Sequence, residues 1–136
     1  MIAHLVLLPI LIPLVGAMVG LLVRERRPLQ TAWTLGTMLT SLASSLWLLW
    51  TVWQTGQPVV FHSGGWLAPF GIVLVGDLLS ALFVVMTQLV MVTGIIYALG
   101  SQDKVVTYPT FFPLFLTLAT GLTGAMLTGD LFNLYV

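Results

Sequence analysis

Few side chains in this sequence could do chemistry, and two of them are acids that directly precede apolar segments. Asp77 stands before an apolar run of about twenty residues, and Asp130 stands before another apolar run. A carboxylate in this position caps the free N–H groups of a helix start and suits its positive end. The same acids could instead line the exit of an ion path, so both interpretations stay open.

A third candidate for an ion path is Gln88, which lies near the middle of the apolar run after Asp77. An amide surrounded by hydrocarbon lacks hydrogen-bond partners, and burying it unpaired is costly. We therefore expect Gln88 to face other helices or a cavity. There it either orders water along a path or makes an interhelical hydrogen bond.

Histidine and cysteine offer little chemistry. His4 and His62 are far apart in the chain, and there is no cysteine. This excludes disulfides, cysteine-ligated metals and a thiol nucleophile, and it predicts neither a metal site nor a cofactor. His62 could relay a proton because imidazole titrates near neutral pH, or it could be an ordinary loop residue; the same two interpretations apply to His4.

Composition indicates an integral membrane protein. Hydrophobic residues make up 59% of the 136 residues and charged residues only 6%, against about 25% charged in soluble domains. The net charge is zero, which gives no indication of a nucleic-acid partner.

Each membrane-spanning helix needs roughly 20 apolar residues. The sequence predicts an all-α membrane protein with four such helices and the start of a fifth, over residues 5–23, 31–53, 78–99, 108–128 and from 131. Because the last run breaks off after six residues, we interpret residues 1–136 as the N-terminal part of a polytopic membrane protein.

The long connection between the second and third predicted spans has a different pattern. Residues 58–62 are strand-like, a turn is predicted at residues 63–65, and residues 70–75 form a second β-rich run. This alternation predicts a β-hairpin.

Basic residues set the predicted orientation. All of them lie in the loops 24–28 and 100–107, and they are Arg24, Arg26, Arg27 and Lys104. Cytoplasmic loops carry an excess of Lys and Arg. Both loops should therefore be cytoplasmic, with the N-terminus, the hairpin and the two candidate acids outside.

Small residues and prolines predict how the helices pack. Gly16 and Gly20 form a G-x-x-x-G pattern, which permits close helix contact. Prolines at 9 and 13 require neighbours that satisfy the carbonyls they free. Further stripes at four-residue spacing predict packed helix faces, and they are Gly36, Thr40 and Ser44; Thr117, Gly121 and Ala125; and Thr120, Gly124 and Thr128.

Three stretches resemble a known family. The run GGWLAPFGIVLVGDLLSALF, the closing TGDLFNLYV and the opening PILIPLVGA resemble the D-type subunits of the multisubunit (Mrp-type) Na+/H+ antiporters. The wider family includes the antiporter-like membrane subunits of respiratory complex I and of membrane-bound hydrogenases. The resemblance covers essentially all of the sequence.

The resemblance implies a proton- or Na+-translocating subunit of a prokaryotic plasma membrane, working in the lipid bilayer with other subunits of its complex. In the family, a glutamate on the fifth helix and lysines on later helices carry the proton path. The sequence ends at Val136, before that glutamate is expected, and its only lysine, Lys104, lies in a loop. No catalytic residue is therefore transferred to this chain.

Two other hypotheses remain. One is a proton-pumping membrane subunit of a complex I-like NADH dehydrogenase or membrane-bound hydrogenase, with the redox chemistry in other subunits. The other is a small structural membrane protein without transport activity.

Overall fold

The computed structural model describes residues 2–63, 71–101 and 103–135, and it is mostly helical. A short 3-10 helix, Ile2–Val6, precedes the other elements. These are α1 (Leu8–Leu22), α2 (Arg27–Thr55), β1 (Val59–His62), β2 (Val73–Gly76), α3 (Leu78–Gly100), α4 (Lys104–Thr107), α5 (Phe111–Leu127) and α6 (Leu131–Tyr135). The predicted turn glycines, Gly64 and Gly65, lie outside the described residues.

Two described helices, α2 and α3, are long and apolar enough to cross a membrane. The other two apolar helices are shorter, with 15 residues in α1 and 17 in α5. α2 begins with Pro28 in its first turn, where a missing N–H costs nothing. It ends at Thr55, and Gly56 caps it with a left-handed φ of 63° and an N–H that donates to the Val52 carbonyl.

The predicted strands pair antiparallel, with β1 alongside β2. The segment after α5 joins them, because Thr128 forms a bridge with Leu74 and the Gly129 N–H donates to the Val73 carbonyl at 2.8 Å. A side chain at Gly129 would collide with Val75 and crowd the same carbonyl. Glycine therefore permits the close approach that fastens the end of α5 to the sheet.

The helices form one bundle in which α1 packs against α2 and α5, and α3 packs against α2 and α5. Gly16 and Gly20 are both buried: the first faces Thr37 of α2, and the second faces Pro113 of α5. The predicted role of the G-x-x-x-G pattern in helix packing is confirmed.

A proline inside α1 frees a carbonyl that a neighbouring helix then satisfies. Pro13 has no N–H, so the Pro9 carbonyl one turn earlier lacks its usual donor. The hydroxyl of Ser41, a fully buried residue of α2, donates to this carbonyl at 3.2 Å. The expectation that a neighbour satisfies the carbonyl freed by a proline is confirmed.

A second side chain of α2 reaches the backbone just before α5. The Gln30 side chain donates to the Pro109 carbonyl at 2.7 Å. The same Gln30 nitrogen lies 3.2 Å from the carbonyl of Gly20, in the last turn of α1. Gln30 is 1% exposed, so α2 connects the backbones of both shorter helices from inside the bundle.

Two predicted small-residue stripes lie mostly outside the packed faces of the described helices. Gly36 and Thr40 are exposed, whereas the buried face of α2 contains Thr34, Thr37, Ser41 and Ser45. On α5, the stripe of Thr117, Gly121 and Ala125 is exposed, and the packed face consists mainly of larger residues, among them Phe112, Leu116 and Leu127. Ser44, the third member of the α2 stripe, is buried, so the prediction is wrong for Gly36 and Thr40 and for the α5 stripe, because four-residue spacing does not show which face meets a neighbour.

We expect Ser41→Ala to lower the free energy of unfolding by about 1–3 kcal/mol, because it leaves the buried Pro9 carbonyl without a donor. In a Pro13→Ala background, the restored N–H can bond that carbonyl, so the same change should cost clearly less. Unfolding in mixed micelles measures both differences. Thr40→Ala, at an exposed hydroxyl of the same helix, is the matched control. An equal cost of Ser41→Ala in the two backgrounds would contradict the assignment.

Candidate ion-pathway site

Asp77 caps α3 through a reciprocal pair of hydrogen bonds with Ser80. The Asp77 carboxylate accepts from the Ser80 N–H at 2.7 Å, and the Ser80 hydroxyl accepts from the Asp77 N–H at 2.9 Å. Hydrogen bonds from the Ser80 side chain and backbone hold the pKa of Asp77 below its ordinary value of 3.8. The predicted capping role is confirmed, and this exposed carboxylate is ionised at neutral pH.

A cavity of about 390 Å³ opens beside this cap. Asp77, Ser80 and Phe83 line it from the start of α3, and Met126 and Thr128 line it from the end of α5. The lining mixes hydroxyl and carboxylate oxygens with apolar side chains. Its chemistry suits water or a hydrated cation rather than an anion.

The backbone brings the two candidate acids to the same end of the bundle. Asp77 directly follows β2, and the bridge from Leu74 to Thr128 holds the segment before Asp130 against that strand. Asp130 precedes α6, where its carbonyl accepts from the Leu134 N–H at 3.0 Å. The Asp130 carbonyl also accepts from the Thr128 hydroxyl at 3.2 Å.

Gln88 lies deep in the bundle, between α3 and α5. It is fully buried, and its Nε2 donates to the Thr123 hydroxyl oxygen at 3.0 Å. Thr123 is also fully buried, and its hydroxyl proton goes to the Ala119 carbonyl at 2.7 Å. The expectation that Gln88 faces another helix is confirmed, and its role in an ion path stays a prediction.

The histidines lie outside the membrane-length helices. His4 belongs to the N-terminal 3-10 helix and packs against the ring of Phe61, with 5.7 Å between ring centroids. His62 is an exposed residue of β1, opposite Val73. Within the described ranges, no group of three or more histidine, aspartate or glutamate side chains could hold a metal ion.

Comparisons with known proteins give one consistent answer. The chain is 42% identical to antiporter subunit mnhD2 of Staphylococcus haemolyticus and 37% identical to the D-type subunit of the Na+/H+ antiporter of Alkalihalophilus pseudofirmus, each over 98% of this chain and 27% of the relative. It also superposes on a chain of the Mrp complex from Dietzia sp. DQ12-45-1b with a TM-score of 0.88, at 30% identity over 98% of this chain and 24% of that chain. No protein-family profile matches it.

The chain is a homologue of the D-type antiporter subunits. It is therefore integral to a membrane, as its composition predicts. A chain of an archaeal respiratory membrane complex, the membrane-bound sulfane sulfur reductase, also matches, with a TM-score of 0.79 and 28% identity over 98% of this chain and 27% of that chain. This D-type homologue spans about a quarter of the length of the curated relatives it matches.

Sequence reasoning missed three buried polar residues of this D-type homologue. Thr123 pairs with Gln88, and Gln30 and Ser41 bind carbonyls of other helices. Pro13 contains a signal for Ser41, because a proline inside a helix frees the carbonyl one turn earlier. No comparable signal pointed to Gln30. For Thr123 no signal was present, since it lies outside both small-residue stripes.

Folding stability should depend on Asp77 ionisation. Because the pKa is lowered in the folded state, the stabilisation is complete above pH 3.8 and is lost as pH falls through the lower native value. Asparagine also caps helices but does not ionise. The stability difference between the native chain and Asp77→Asn should therefore be constant above pH 3.8 and shrink below it, which thermal melts in detergent at several pH values can measure. A difference that grows in acid would contradict this sign.

Proposed function

We propose that this chain is the N-terminal part of a membrane subunit that exchanges Na+ or another monovalent cation for H+ within a multisubunit complex. The observation that carries the proposal is the match over 98% of the chain to proteins named as antiporter subunits. The close superposition on a chain of an Mrp complex also supports it.

In the proposed arrangement, α1, α2, α3 and α5 all cross the plasma membrane of a prokaryote, and α6 begins a fifth span. The shorter helix α1 packs against α2, and the shorter helix α5 packs against α3. The outer faces of all four helices expose mainly apolar side chains. The loops 24–28 and 100–107 carry the four basic residues and are cytoplasmic. Arg27 supports placing these loops together, because its guanidinium donates to the carbonyls of Val106 and Thr107.

This orientation places β1, β2 and the cavity at Asp77 on the outer side. Asp77 then serves as an acid at an outer opening, Gln88 as a polar residue at mid-membrane, and Asp130 as a second acid near the first. The cavity beside Asp77, the burial of Gln88 and the bridge before Asp130 support this division of roles.

An alternative follows from the similarity to a chain of an archaeal respiratory membrane complex. Under this alternative, the chain belongs to a proton-pumping subunit, and other subunits carry out the redox reaction. A third possibility is a structural membrane protein without transport activity.

Transport can be tested in everted membrane vesicles of the native host. Respiration acidifies the vesicles, a pH-sensitive dye reports the gradient, and added Na+ should dissipate it. We expect deletion of the gene to abolish most of the Na+ response and a plasmid copy to restore it. A Na+ response that survives deletion would refute the antiporter function, and a loss confined to substrate-driven acidification would favour the respiratory alternative.

Orientation can be tested separately, because the chain contains no native cysteine. Ser63→Cys, directly after β1, should react with a membrane-impermeant thiol reagent added to intact cells. Ser101→Cys, directly after α3, should react only after the membrane is opened. The reverse pattern would overturn the proposed orientation while leaving the transport function untouched.

A further inference from the structure

A cavity of about 680 Å³ lies between the end of α2 and the start of α3. Trp53 lines it from the last turn of α2, and Asp77, Leu79 and Leu82 line it from the start of α3. The end of α2 leaves this space open, because Gly56 turns the chain with a left-handed φ and no described atom lies within 4 Å of a Cβ placed there. This α2–α3 cavity is separate from the one that Asp77 shares with α5.

One oxygen of the Asp77 carboxylate remains free for a ligand. Its Oδ1 accepts both side-chain hydrogen bonds of the cap, from the N–H and from the hydroxyl of Ser80. Its Oδ2 accepts none from the residues that the structure describes. Because the carboxylate is ionised at neutral pH, Oδ2 can still accept a charge-assisted hydrogen bond, which is stronger than one between neutral groups.

No lysine or arginine neutralises this carboxylate. All four of these basic residues lie in the loops 24–28 and 100–107, before the start of α2 and after the end of α3. The 23 residues of α3 separate its two ends by roughly 35 Å. This distance is several times the screening length of about 8 Å in physiological salt. The α2–α3 cavity therefore presents a negative charge, which favours a cationic ligand.

The walls beside the carboxylate are apolar and exposed. Trp53 is 70% exposed, and Leu79 and Leu82 are 60% and 46% exposed. Trp50, one turn earlier, continues the exposed aromatic face of α2. Tryptophans are enriched where the lipid headgroups meet the hydrocarbon, and an indole face also attracts cations. A ligand that fits has a cationic head for Asp77 and an apolar tail for the leucines.

We propose that the α2–α3 cavity binds the headgroup of a phosphatidylethanolamine molecule, whose acyl chains extend along the exposed leucines of α3. The primary ammonium of this lipid supplies both the positive charge and the N–H donor that Asp77 Oδ2 lacks. An anionic lipid would be repelled, and a choline headgroup has the charge but no N–H to donate. The site requires only that the chain lies in a bilayer, so it is independent of which ion the subunit transports.

Photocrosslinking tests the site in the whole complex, purified from the native host and reconstituted in vesicles. The vesicles contain equal amounts of phosphatidylethanolamine and phosphatidylcholine with identical acyl chains. The photoreactive residue p-benzoylphenylalanine replaces Leu82 in the cavity or, as a control, Ile96, which is similarly exposed and equally far from the other end of α3. Mass spectrometry of the adducts identifies the headgroup. We expect the ratio of ethanolamine to choline adducts to be about two- to fivefold higher at Leu82, the range that an exposed ion pair supports.

Asp77→Asn is the informative variant, because asparagine keeps the helix cap and removes the charge. It should lower the ratio at Leu82 to the ratio at Ile96. Asp103→Asn, at the exposed capping acid of α4, is the matched control and should leave the ratio at Leu82 unchanged.

Three results would overturn the lipid site. They are equal ratios at Leu82 and Ile96, a ratio at Leu82 that survives Asp77→Asn, and adducts at Leu82 formed with protein in place of lipid. The last result would show that another protein segment covers the cavity. None of them bears on the Na+ response of the vesicles, which is measured on the unmodified chain, so failure of the lipid site is distinguishable from failure of the proposed function.

Discussion

The architecture depends on one constraint: in hydrocarbon, every backbone polar group needs a partner within the protein. Pro13 of α1 breaks this rule locally, because it removes the donor of the Pro9 carbonyl one turn earlier. The Pro109 carbonyl, just before α5, needs a partner as well. α2 restores it with side chains that reach across to those carbonyls, Ser41 to α1 and Gln30 to α5. These hydrogen bonds connect α2 with both shorter helices at defined levels, which apolar packing alone does not specify.

This explains why α2 has polar residues inside and large apolar residues outside. Its buried face carries Gln30, Thr34, Thr37, Ser41, Ser44 and Ser45, while Trp47, Trp50 and Trp53 are exposed. A soluble protein would show the opposite distribution. The polar groups are tolerated inside because they bond backbone carbonyls, and the tryptophans suit the boundary between lipid and water.

Much of the fold could be predicted from the sequence, because its strongest signals are local. The apolar runs predicted the helices, the β-branched segments predicted β1 and β2, and the position of Asp77 predicted a helix cap, now confirmed. The bridge from Thr128 to Leu74 could not be predicted, since it depends on a close approach between distant segments. The packed faces of α2 and α5 were misjudged because four-residue spacing shows which residues share a face, but not which face meets a neighbour.

The candidate site was only partly predictable for the same reason. Asp77, Gln88 and Asp130 could be singled out because polar residues next to or within apolar runs are unusual. Thr123 could not, because its importance comes from facing Gln88 across two helices. What joins these residues into one region is the antiparallel packing of α3 on α5, which is a property of the tertiary structure.

The attachment of the segment after α5 to β2 has a mechanical consequence. Gly129 and Thr128 hold that segment on the sheet, and α6 begins two residues later. A force on the sheet from the water side would therefore reach the start of α6 through a short, hydrogen-bonded connection. Any displacement of the sheet would be passed to the end of α5 and the start of α6 together.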